Sequence, residues 1–101
     1  IDDVLDCIAV AMDKIHDGTA INIGQGVLTS FRELIALFCE FADYKTEVKP
    51  LLDKPVGVYS RYCDMSWVKE NLGWEPKISI KEGMRRVYDA VIVREKHLGN
   101  L

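Results

Sequence analysis

Two Ser-x-x-Glu sequences, Ser30-Phe31-Arg32-Glu33 and Ser79-Ile80-Lys81-Glu82, constrain this chain more than any other feature. Each has the form of a capping box. The serine hydroxyl accepts the backbone N–H three residues on, and the glutamate reaches back to the serine N–H. Two donors left orphaned at a helix start are satisfied in this way. Behind the first box, Phe31, Leu34, Ile35, Phe38 and Phe41 recur at helical spacing. Behind the second, Ile80, Met84, Val87, Tyr88, Val91 and Ile92 do the same. The boxes therefore predict one helix ending near Ala42-Asp43 and another reaching about Lys96, with a frayed tail beyond it. A phenylalanine stripe at this spacing is a packing face rather than a ligand box.

The remaining elements follow from similar signals. Ile1 to His16 reads as an amphipathic helix, with Val4, Leu5, Ile8, Ala11, Met12 and Ile15 on one face. Asp2 or Asp3 can cap its start, and Gly18 supplies a stop. Ala20 to Ile23 is short, apolar and bounded by glycines, as a buried strand would be. Glu47 to Leu52 contains Pro50 and reads as an edge strand. The two would pair in parallel around the first capped helix, as a right-handed βαβ unit. Asp64 can cap a helix from Met65 to Leu72 that Gly73 ends, with Trp67 and Trp74 packing around it. The expected fold class is α/β (α+β): a small helix-rich domain over residues 1–101, with three to four helices and a short two-stranded parallel sheet.

Charge and cysteine usage exclude several functions. Thirteen basic residues are scattered among sixteen acidic ones, for a net charge of −3, which argues against a nucleic-acid surface. No apolar run approaches the ~20 residues of a membrane span. Cys7, Cys39 and Cys63 are odd in number and none forms a C-x-x-C hook, so neither a disulfide framework nor a metal centre is indicated. Such usage fits a reducing, cytoplasmic compartment. Gly24-Gln25-Gly26 follows the expected strand and could cradle a phosphate. The third glycine of G-x-G-x-x-G is missing, however, and Thr29 stands there. A turn that merely links two elements is the stronger reading of these glycines.

The stretch Lys54 to Trp74 carries a family resemblance. It holds Lys54-Pro55, then Arg61, then Asp64 opening a helix that closes with Leu72-Gly73-Trp74-Glu75-Pro76. With Ile1-Asp2-Asp3-Val4, Asn22-Ile23-Gly24, Ser30-x-x-Glu33 and Ser79-x-x-Glu82-Gly83 in this order, the chain resembles the C-terminal lobe of the extended short-chain dehydrogenase/reductase family, the nucleotide-sugar epimerases and dehydratases. The resemblance runs from Ile1 to about Val91. It implies a fragment of a larger Rossmann-type enzyme whose N-terminal dinucleotide-binding domain, with its NAD or NADP, is absent here. It further implies that the lobe closes over a nucleotide-diphosphate sugar, with no cofactor or metal of its own.

By the same resemblance, Arg61 is the expected contact to the pyrophosphate and Lys54 a second cation. Asn22, Tyr59 and Asp64 are further candidates for substrate binding. A solvated loop arginine, exposed tyrosines and plain helix caps explain the same residues without a ligand. In many family members a Pro-Gly-Asp sequence supplies an Asp to the ribose; here Val56 and Gly57 follow Pro55 in place of that Gly-Asp, so the resemblance does not imply that contact. The form Pro-x-Gly-Val-x-x-Arg is similar to a branch that includes GDP-sugar epimerases. No catalytic residue is expected. The family's base is a tyrosine with a lysine four residues on, and Tyr44, Tyr59, Tyr62 and Tyr88 are followed there by Val48, Cys63, Ser66 and Ile92. Two alternatives stay open. One is a stand-alone interaction or oligomerisation module derived from that lobe, forming homo-oligomers. The other is a chain that keeps only the fold.

Overall fold

The computed structural model describes all residues from Ile1 to Leu101. It holds four helices: α1 (Asp2–Lys14), α2 (Phe31–Ala42), α3 (Ser66–Leu72) and α4 (Ile80–His97). The chain divides into two compact units. The first comprises residues 1–28 and 56–77, and contains α1 and α3. The second comprises residues 29–55 and 78–101, and contains α2 and α4.

The expected two-stranded parallel sheet is absent. Residues 20–23 and 47–51 have no strand assignment, and the protein contains helix, turn and irregular chain only. A strand exists through the ladder of backbone hydrogen bonds to a neighbour. Both segments are apolar enough to be strands, but the first belongs to one unit and the second to the other. Ile21 and Ile23 still alternate as a strand would, packing on the first unit's core while Asn22 points to solvent. Their burial comes from side chains alone.

The first unit is built on the seam between α1 and α3. Cys7, Val68, Leu72 and Trp74 form its buried core, with Val10, Ala11, Ile15, Ile21, Ile23 and Met65 packed against them. Burial, and then the neighbouring Asp6 carboxylate, push the Cys7 thiol up from its usual pKa. Three polar contacts stitch α1 to the chain at and after the end of α3. Lys14 Nζ donates to the Leu72 carbonyl at 2.9 Å. Trp74 Nε1 donates to Asp6 Oδ2 at 2.8 Å, and the Lys77 backbone N–H donates to Asp3 Oδ2 at 3.0 Å. Ile1 occupies the α1 cap position and makes no side-chain cap, while Asp2 and Asp3 lie in the first turn, where a negative charge complements the helix dipole. The helix ends at Lys14 because Ile15 turns extended, three residues before the expected glycine. Gly73 ends α3 in the left-handed region, as expected.

The second unit pairs the 12-residue α2 with the 18-residue α4. The first capping box forms in full: Ser30 Oγ accepts Glu33 N–H at 3.2 Å and Glu33 Oε2 accepts Ser30 N–H at 2.6 Å. The Glu33 carboxyl is held below its usual pKa by those bonds. At α4, Ser79 Oγ accepts Glu82 N–H at 3.2 Å, while the Glu82 carboxylate pairs with Arg86 one turn on. Phe41 meets Phe38 edge-on and Tyr88 at 6.0 Å between ring centres. The Arg85 guanidinium lies 5.4 Å from the Phe41 ring and also pairs with Asp89. Lys81 bonds Glu40 at 2.6 Å. Neither α2 nor α4 contains a fully buried residue.

Replacing Leu72 by Ala should remove a buried side chain from the tighter of the two cores. Urea denaturation is expected to show a loss of about 3 kcal/mol. Trp74→Phe removes part of a buried ring as well as the bond to Asp6, so the expected loss is about 2 kcal/mol.

Candidate functional site

Two loops of the first unit meet over its core. The Gly24 N–H donates to Met65 Sδ at 3.3 Å. A Cβ at position 24 would stand 2.6 Å from Cys63 Cβ and 3.3 Å from its sulfur, so no side chain fits there. Gly26 has φ +69 and lies at ordinary contact distance from Met65, so its need for glycine is conformational. Cys63 Sγ rests 3.4 Å from Met65 Sδ and 3.8 Å from the Asp64 carbonyl. Asn-Ile-Gly is thus seated against Cys-Asp-Met. Asn22 lies two residues before the glycine and Arg61 two residues before the cysteine.

Arg61 is exposed and its guanidinium makes no hydrogen bond or ion pair. Tyr59 and Tyr62 on the same loop are exposed, as is Asn22. Asp64 plays a structural part. Its Oδ1 accepts the Ser66 N–H at 2.9 Å and the Ser66 hydroxyl at 2.7 Å, and these bonds hold its pKa below the usual aspartate range. The cap position itself falls on Met65, and the Asp64 carboxylate supplies the bonds from one residue earlier. Lys54 belongs to the second unit, where it lies 3.3 Å from Asp53 with both groups largely in water. Such a pair contributes little.

A groove of about 460 Å³ beside the loop contact is lined by Gln25, Met65, Lys69, Trp74 and Glu75 among others. Lys69 and Glu75 pair beside it at 2.6 Å, and that bond raises the lysine pKa. Sequence reasoning gave Lys69 no role and quoted Glu75 only within the closing motif, because an ion pair across a helix-ending glycine follows no periodicity. No group of three or more His, Cys, Asp or Glu side chains could hold a metal, and no helix is long and apolar enough to cross a membrane.

Comparison with known proteins decides the family. The chain is 30% identical over 89 residues to GDP-L-fucose synthase 1 of Arabidopsis thaliana, covering 88% of this chain and 27% of that protein. It is 34% identical over 68 residues to GDP-mannose 3,5-epimerase of the same plant, covering 67% and 18%. A Methanocaldococcus jannaschii protein provisionally named as a UDP-glucose 4-epimerase is 39% identical over 69 residues, covering 66% and 22%. The chain belongs to the extended short-chain dehydrogenase/reductase family of nucleotide-sugar epimerases and dehydratases.

It spans about a quarter of the length of the family members GDP-L-fucose synthase 1 and its relatives. No protein-family model matches it, and no solved structure does. Against that family, Arg61 and Asn22 stand exposed on loops of one unit, Tyr59 stands on the same loop as Arg61, and Lys54 lies in the other unit.

The Asp64 contacts predict a pH response. A folded pKa below the unfolded one adds stability that is complete above the ordinary aspartate pKa of about 4 and is lost as pH falls through the folded value. In an acid titration followed by amide NMR, the Ser66 N–H is expected to lose its bonded shift in that window. The Asp64→Asn variant should show a flat profile there.

Proposed function

We propose that this chain is the nucleotide-diphosphate-sugar binding lobe of an NAD(P)-dependent epimerase or dehydratase and performs no hydride transfer by itself. The observation that carries this reading is the Arg61 guanidinium, exposed and unpaired on a loop that is joined near its end to the Asn22 segment. A planar guanidinium binds two phosphate oxygens at once, which an ammonium cannot do with the same geometry. Asn22 offers an amide that can donate to a phosphate or accept from a hydroxyl. Tyr59 offers an exposed ring to the sugar or base.

The residues present do not fit a dinucleotide. A pyrophosphate turn opens directly into a helix whose N-terminal amides face the phosphates. Here the glycine turn ends at Gly26, and α2 begins at Phe31 after four further residues. This spacing supports placing the nicotinamide in another part of the parent enzyme. The GDP-L-fucose synthase match covers 88% of the chain against 66% for the UDP-sugar relative, which supports a GDP-sugar, although the UDP-sugar relative has the higher identity.

Calorimetric titration of GDP-mannose and UDP-glucose into the chain tests this reading. Binding of the GDP-sugar, weakened about tenfold or more by Arg61→Ala, is expected. Equal heats from wild type and Arg61→Ala would overturn it.

A second reading, an interaction module, has one observation in its favour. Ile1, Leu5, Ile8 and Met12 form an exposed apolar stripe along α1. Sedimentation velocity is expected to show self-association that Leu5→Glu abolishes. A monomer at all concentrations would remove this reading.

A further inference from the structure

We infer that Gly24 and Cys63 are positioning residues, whose close approach holds Asn22 and Arg61 on one rim so that both reach the same diphosphate. The inference rests on the binding reading above. Within the first unit, residues 56–62 have no regular structure, and Val56, Val58, Tyr59 and Tyr62 are exposed. Going from Arg61 towards the core, the first half-buried residue is Cys63. A guanidinium on a free loop binds weakly, because ordering it opposes the gain. An arginine two residues from a packed anchor swings over a much smaller range. Asn22 is tethered in the same way, since Ile21 and Ile23 on either side of it are held by the core.

Two residues of extended chain span about 7 Å, so each polar group lies a short tether from the contact. The contact itself has no slack. With 2.6 Å between Cys63 Cβ and a Cβ built at position 24, an alanine must push the two segments apart by about 1 Å before ordinary carbon contact is reached. The Met65 thioether, which receives the Gly24 N–H and touches the Cys63 sulfur, holds the other side of the joint.

A merely structural glycine and a positioning glycine are separated by a double-mutant cycle on the full chain, with GDP-mannose as the probe. Gly24→Ala is expected to weaken binding about tenfold, and Arg61→Ala in that background to add less than about twofold, because the guanidinium is already misplaced. Exchanging the bulk, Gly24→Ala with Cys63→Gly, should recover most of the affinity. Should Gly24→Ala fail to fold, Met65→Leu removes the thioether acceptor at nearly constant volume. It should weaken binding with the same non-additivity towards Arg61→Ala. Losses that multiply independently, or a Gly24→Ala protein that folds and binds as wild type does, overturn the inference and leave the binding reading intact. A wild type that binds neither GDP-mannose nor UDP-glucose overturns the binding reading first, and this inference with it.

Discussion

The Trp74 indole, buried between α1 and α3 with its N–H on Asp6, is the interaction on which the first unit depends. An indole gives a large apolar surface and a single donor, and burial is favourable only when that donor finds an acceptor. Asp6 supplies it from α1, 68 residues away in sequence. The same seam answers the problem of the α3 end, where the last carbonyls lack intrahelical partners. The Gly73 N–H returns to the Lys69 carbonyl, and Lys14 from α1 takes the Leu72 carbonyl. A seven-residue helix is too short to persist by propensity alone. It is stable because Val68 and Leu72 are buried and its C-terminal backbone is bonded from outside. The loops that carry Asn22 and Arg61 inherit their order from this seam, since Ile21, Ile23 and Met65 pack on it.

The second unit follows another logic. Both of its helices carry a serine side-chain cap, yet no residue of either is fully buried. The α2–α4 contact is made by partly exposed aromatic rings, with Arg85 laid against Phe41 and Tyr88. Local hydrogen bonds and charge pairs thus carry a greater share of its order. Such surface pairs contribute tenths of a kcal/mol each, whereas a buried leucine contributes about 2. Of the two units, the one without serine-capped helices has the stronger core.

What could be read in the sequence tracks how local each determinant is. Ser30 with Glu33, Gly73, and Asp64 with Ser66 act within a few residues, and the helices they bound appear as expected. The sheet depended on a pairing between distant segments, and apolar character alone does not make a ladder. Periodicity also misjudged α1. Of the residues it put on one face, Ala11 and Ile15 pack on the core, but Leu5, Ile8 and Met12 are exposed, and Cys7 with Val10 faces inward. An α1 apolar over more than half its circumference fits two faces, and spacing does not say which is covered. At the site, the order of motifs pointed to Arg61 and Asn22. Nothing in it showed that Gly24 is glycine because Cys63 stands against it, for that is a contact across 39 residues.

The exposure of Arg61 bears on how such a lobe would act. In water, a guanidinium and a phosphate attract one another weakly, and salt screens them beyond about 8 Å. The same pair grows stronger as water is excluded, because the effective dielectric falls. An arginine held ready but solvated therefore contributes least in an open cleft and most when an opposing wall closes over the ligand. If the Gly24–Cys63 joint fixes where the guanidinium sits, the ordering cost is met during folding rather than at binding. Closure would then add desolvation to an arrangement already in place. On this argument the lobe would register the diphosphate most strongly once the cleft has closed.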